Sequence, residues 1–155
     1  MKKRFLISLL ILSACGSESD QYYPELPIAI NELTGWEAEI IDEMNTYFGE
    51  ELFIIDNDNP DFEISYGDLE DSTRGRIKYD EGVIIMDEGE VGGNGLRYKR
   101  VLFHELGHAL GAHHSDDEKS IMFHSAPMAG GTKSFEGYLT EIVDGLIEDQ
   151  KNIYE

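Results

Sequence analysis

This 155-residue chain has little of several things, and each shortage excludes something. It carries one cysteine, so no disulfide can close within it and its core has to hold the fold. Basic residues number 12 against 32 acidic ones, for a net charge of −20 with histidine neutral. A chain so acidic repels nucleic acid and anionic lipid surfaces, and nucleic acid is not expected as a partner. The charge suits solubility or a saline habitat better than it suits selection of cationic peptide segments. Long apolar runs are missing except near the N-terminus, where Phe5 to Leu12 is too short to span a bilayer as a mature helix. Histidines are five, all between 104 and 124, so the chain has one place to concentrate imidazole chemistry.

The N-terminal run reads as an export signal. Lys2, Lys3 and Arg4 form a basic segment ahead of Phe5 to Leu12. Leu12-Ser13-Ala14-Cys15 then resembles the bacterial lipoprotein cleavage box, in which the cysteine becomes the lipidated first residue. The bland alternatives are an ordinary secretory signal cut near Ala14, or a buried apolar helix. The single cysteine falling at that one position favours lipidation. The expected organisation is a signal peptide over 1–14, a lipidated Cys15 with a short polar tether over 15–21, and one domain over 22–155. Cleavage would deepen the negative charge, because three basic residues leave and no acidic one does. Gly16 after Cys15, rather than aspartate, points to the outer membrane in a two-membraned cell, and otherwise to the outer face of the cell membrane.

The rest is organised around His104-Glu105-Leu106-Gly107-His108-Ala109-Leu110-Gly111-Ala112-His113-His114. His104 and His108 are four apart, so on a helix they project from one face, as two imidazoles must to share one Zn²⁺. Glu105 beside the first ligand could hold and deprotonate an activated water. Gly111 can take a positive φ, which lets the helix stop and the chain turn back to present His114 as a third ligand. Three protein ligands leave one tetrahedral position open, the mark of a catalytic rather than a structural zinc. Ser120-Ile121-Met122 follows after a short acidic loop.

The pattern His-Glu-x-x-His-x-x-Gly-x-x-His with a following methionine resembles the metzincin zinc endopeptidases. The spacing from His114 to Met122, with Ser115 and Phe123, is most similar to the matrixin branch. The resemblance implies an α+β fold: a twisted mixed sheet with an active-site helix and a C-terminal helix. It implies one catalytic zinc on His104, His108 and His114, Glu105 as general base, and Met122 as an apolar floor below the imidazoles. His113 stands where the family varies and is read as a non-ligand. His124 stands two residues past Met122, where two other metzincin families place a tyrosine; it is a candidate secondary active-site group or a pocket-wall residue. The histidines that hold a second, structural zinc in matrixins have no counterpart here. Calcium remains an option without support, because the acidic runs at 56–61 and 87–90 are interrupted.

Elsewhere the patterning supplies a scaffold. Leu26 to Ile30 reads as a strand that Pro24 and Pro27 confine to an edge. Asn31 or Thr34 can cap a helix running to about Phe48, with Trp36, Ile40, Ile41, Met44 and Phe48 inward and Glu37, Glu39, Asp42 and Glu43 outward. Leu52 to Ile55 and Phe62 to Tyr66 read as strands, and Arg76 to Tyr79 with Val83 to Met86 as a hairpin around Asp80-Glu81-Gly82. Residues 87–95 read as a flexible acidic loop, followed by the active-site helix from near Arg97. By resemblance, Gly75 to Tyr79 is the edge strand above the cleft, where an extended substrate adds as a further strand. Ala126 to Ser134 would border the pocket beyond the cut bond, and Ser134 would cap a final helix to about Asn152.

The function implied is a membrane-anchored zinc endopeptidase that acts on protein or peptide substrates, as a monomer. Two other classes are a catalytically silent zinc-bearing surface lipoprotein and a metal scavenger. A scavenger would carry several His or Cys clusters, and Glu105 is a residue that silent relatives tend to lose.

Overall fold

The computed structural model describes residues 24–70, 73–91, 95–116, 120–123 and 143–144. Its strands are β1 (Ile28–Ile30), β2 (Phe53–Ile55), β3 (Glu63–Gly67), β4 (Gly75–Lys78) and β5 (Val83–Asp87); its helices are α1 (Trp36–Phe48), α2 (Glu88–Val91) and α3 (Gly95–Ala109). Strand β1 pairs in parallel with β2, β3 pairs in parallel with β5, and β4 closes the other side of β5 antiparallel. A parallel bridge between Ile30 and Phe62 joins the two groups, giving the order β2-β1-β3-β5-β4. Side chains reinforce that seam. Asp61 accepts from the Ala29 N–H at 2.8 Å, while Asn31 accepts from the Ile64 N–H and donates to its carbonyl. A buried asparagine thereby replaces a rung of backbone ladder, and no polar group at the seam is stranded.

The strand expected at an edge is therefore interior. Both prolines precede the ladder, whose first donor is the Ile28 N–H to Leu52 O at 2.9 Å, so their missing N–H groups disrupt nothing. Ile28, Ala29 and Ile30 are all buried. The edges are β2 and β4, the latter as expected for the strand over the cleft.

Helix α1 ends at Gly49, whose φ of 71° lets its N–H turn back to Asn45 O. At its start the N-cap position falls to Gly35, at φ of 87°, rather than to Asn31 or Thr34, while the Glu37 carboxylate accepts from the Thr34 N–H and Thr34 Oγ1 accepts from the Trp36 N–H. Ile40, Ile41 and Met44 bury the inward stripe, each contributing about 1.5–3 kcal/mol of apolar transfer. Glu37 corrects the expected polarity of this helix. It is fully buried, and Tyr98 of α3 donates its hydroxyl to it at 2.7 Å. Tyr98 in turn meets the Tyr66 hydroxyl at 3.1 Å and packs edge-on to Trp36. A second tie between these helices is the Lys99–Glu43 ion pair, with Lys99 also over the Phe103 ring.

The acidic segment after β5 is not all loop, since Glu88–Val91 make a helical turn with the Gly89 N–H donating to Asp87 Oδ1. Helix α3 is buried on every side from Val101 to Gly107, sandwiched between the core and β4. The architecture is α+β, a twisted mixed sheet with the histidine-bearing helix packed on it. Val143 and Asp144 are helical and Val143 is fully buried. The remainder of the expected C-terminal helix, the 126–134 loop, His124 and Cys15 lie outside the described residues.

Candidate metal centre

Helix α3 sets two of the three imidazoles. His104 and His108, one turn apart, bring their Nε2 atoms to 3.2 Å from each other. The helix then stops in a Schellman turn: Gly111 has φ of 89°, its N–H donates to His108 O, and the Ala112 N–H donates to Gly107 O. That reversal delivers His114, whose Nε2 lies 3.3 Å from both other Nε2 atoms. His113 is exposed and outside the cluster of His104, His108 and His114.

The second nitrogen of each helical histidine fixes what its Nε2 can do. His104 Nδ1 lies 2.7 Å from Ile121 O, and His108 Nδ1 lies 2.7 Å from Ala112 O. A carbonyl only accepts, so each Nδ1 carries the proton and each Nε2 presents a lone pair. Two lone pairs cannot hydrogen-bond to each other. Burial also holds His104 and His108 below the ordinary histidine range, His108 at about 4, against the opposing pull of the two carbonyls. Two lone pairs turned toward the His114 Nε2 make a ready seat for a Lewis acid. A tetrahedral zinc at about 2.0–2.1 Å from each nitrogen sets ligand nitrogens about 3.3 Å apart, which the three separations match. The donor set fits Zn²⁺.

Behind the metal position the chain returns after His114. The Ser115 N–H donates to Met122 O at 2.8 Å, and Ser115 and Phe123 form a bridge. This places Ile121 O against His104 and buries Met122 completely. A β-carbon on Gly107 would lie 2.3 Å from Met122 Sδ. Methionine and glycine thus share one space, a dependence that the motif's variable position conceals.

Strand β4 forms the opposite wall. A β-carbon on Gly75 would fall 2.6 Å from Glu105 Oε1 and 2.8 Å from Val101 Cγ1, so only glycine lets the strand lie this close. The Ile77 N–H donates to the Glu105 carboxylate, and the Tyr79 hydroxyl donates to His108 O at 2.9 Å. Gly75 and Ile77 of β4, with Tyr79 just past its end, thereby register against successive turns of α3. Burial pushes the Glu105 carboxyl up to about 8, opposed by the Arg76 charge and the Ile77 N–H. The sequence reading placed Gly75 and Tyr79 at the ends of the edge strand and Gly107 within the motif, but not their contacts with Glu105, His108 and Met122.

The turn at 56–61 bonds partly within itself and partly to the segment after β1. Asp56 Oδ1 accepts from the Asp58 and Asn59 N–H groups, and Asn57 Oδ1 from the Glu32 N–H.

A family model described as Matrixin matches residues 37–136. No curated protein matches the chain.

Proposed function

Because that match spans well over half of its length, the chain belongs to the matrixin family of zinc metalloendopeptidases, and from this premise we propose that Glu105 is its general base and β4 its substrate-docking edge. What supports the reading best is the convergence of three histidine Nε2 atoms beside a buried carboxyl. Zinc, when bound, makes water nucleophilic near neutral pH and polarises the scissile carbonyl. Glu105 takes the proton of the attacking water, holds it, and passes it to the leaving amine. The Ile77 N–H fixes one of its oxygens, so the carboxylate is oriented before substrate arrives. Met122 supports the imidazoles from below by packing. His124 is proposed as a secondary group at the cleft.

An extended peptide adds to β4 through the outward N–H and C=O of Gly75 and the C=O of Ile77, the Ile77 N–H staying with Glu105. The domain is held at the cell envelope by a lipid on Cys15, through the 15–21 tether. Among the described residues no helix is long and apolar enough to cross a membrane.

The test uses the chain from Gly16 onward, loaded with one equivalent of zinc and offered a diverse peptide library, with cuts read by mass spectrometry. Glu105→Ala is expected to keep the metal and lose nearly all turnover. Retained turnover in metal-loaded Glu105→Ala would sink the assignment.

A further inference from the structure

Strand β4 carries a row of cations in a chain that is otherwise strongly acidic: Arg74 immediately before it, then Arg76 and Lys78. Alternation puts all three on one face. Gly75 points its Cβ position at Val101 and Glu105, so Arg74, Arg76 and Lys78 point the other way, to the outer face of the sheet. Arg74 and Arg76 are exposed. The hydrogen-bond phase of the strand is equally fixed. The Asp87 N–H donates to Arg74 O at 2.9 Å, and Arg76 and Lys78 stand opposite Ile85 and Val83. In antiparallel pairing the bonded positions alternate, so 74, 76 and 78 turn their backbone groups to β5 while Gly75 and Ile77 turn theirs to the cleft.

A strand added along the cleft side in antiparallel fashion would therefore bond to the N–H and C=O of Gly75 and to the C=O of Ile77, whose N–H Glu105 already holds. It would form the closer, non-hydrogen-bonded pair with Arg76, where Cα atoms approach to about 4.5 Å and side chains on the same face meet. Lys78 already has Glu81 at 3.0 Å, and Arg74 has Asp87 beside it in the ladder. Across from Arg76 is Ile85, which cannot answer its charge.

We propose that Arg76 is a specificity-determining residue that selects an aspartate or glutamate at the one substrate position paired with it. The inference rests on the reading of β4 as the docking edge. The overall negative charge opposes acidic substrates at long range, but at physiological salt the screening length is about 8 Å, so a direct cross-strand neighbour outweighs it. Acidic residues at the adjacent positions face α3 instead, where they meet the buried Glu105. Preference is thus positional and alternates with period two.

The experiment starts from an uncharged peptide that the zinc-loaded protein cleaves. A single glutamate is moved along it residue by residue, and kcat/KM is compared with the uncharged parent. One position is expected to improve by roughly threefold to tenfold, its immediate neighbours not at all, and the gain should fade in 1 M salt. Arg76→Gln should flatten the profile, and Arg76→Glu should transfer the preference to lysine at the same position. Using ratios within each variant cancels any general effect of Arg76 on Glu105. A flat scan with efficient cleavage of the parent would overturn the inference and leave the peptidase intact. So would a peak that survives unchanged in Arg76→Glu. If no peptide is cleaved, the peptidase reading itself falls, and this inference with it.

Discussion

Replacing Glu37 tests whether a buried carboxylate 67 positions before the first metal ligand anchors the helix that carries it. Three donors converge on this side chain: the Tyr98 hydroxyl at 2.7 Å, the Thr34 N–H at 2.9 Å and the Thr34 hydroxyl at 2.8 Å. Hydrogen bonds to a charged group are worth about 1.5–3 kcal/mol each, and they are not additive around one carboxylate. Glu37→Ala strips the acceptor from all three and opens a cavity between α1 and α3, for a loss of about 3–5 kcal/mol. Glu37→Gln keeps the shape but offers an amide N–H₂ where one side needs an acceptor, and should cost about 1–3 kcal/mol. With a urea m-value of about 2 kcal/mol/M, a 3 kcal/mol loss moves the unfolding midpoint by roughly 1.5 M. The acid limb gives an independent reading. Burial alone would raise this carboxyl, yet the bonds from Tyr98 and Thr34 outweigh it and hold the pKa below the ordinary 4.5. A depressed folded-state pKa gives stability that is full above about pH 4.5 and is lost as pH falls through the folded value. Urea titrations at pH 7 and in steps below 4.5, on wild type, Glu37→Gln, Tyr98→Phe and the double variant, measure both effects. The wild type should lose stability more steeply on acidification than Glu37→Gln, and the cycle should return a coupling of about 1–3 kcal/mol. Equal midpoints for wild type and Glu37→Gln, with identical acid limbs, would refute the reasoning.

Three further outcomes are expected. Gly107→Ala forces its methyl group against Met122 Sδ, so zinc affinity should fall by at least tenfold in a competition assay while helicity by circular dichroism persists. Gly75→Ala drives a methyl into Glu105; kcat should drop by roughly tenfold or more with zinc content unchanged, whereas an effect on metal binding alone would place the contact elsewhere. Because His104 and His108 are held below the usual histidine range, His108 at about 4, protons compete for these nitrogens only at lower pH than for free imidazole. Zinc should therefore stay bound through pH 6.5 and leave near or below pH 5, as followed by a chromophoric chelator; half-release near 6.5 would contradict the burial account.

Much of the site was legible because its determinants are local. The four-residue step from His104 to His108, the glycine that takes φ of 89°, and the return through Met122 all lie within one short stretch, where helix period and turn chemistry dictate geometry. The hairpin around Gly82 and the α1 stripe of Ile40, Ile41 and Met44 were readable for the same reason. Charge misled at Glu37. An acidic residue in an amphipathic helix is ordinarily solvated, and the partner that makes burial tolerable lies 61 residues away.

By itself, then, the sequence determined a helix presenting two imidazoles, a reversal presenting a third, and a set of short strands. It could do so because those features follow from backbone preferences over a few residues. Tertiary structure alone decided that β1 is interior, since that required Phe62 and Asp61 to arrive beside it. It alone decided that Gly75 and Gly107 are spaces shared with Glu105 and Met122, and that three Nε2 atoms stand 3.2–3.3 Å apart. Contacts between remote segments leave no periodic mark in a chain; they exist only once packing has brought the surfaces together.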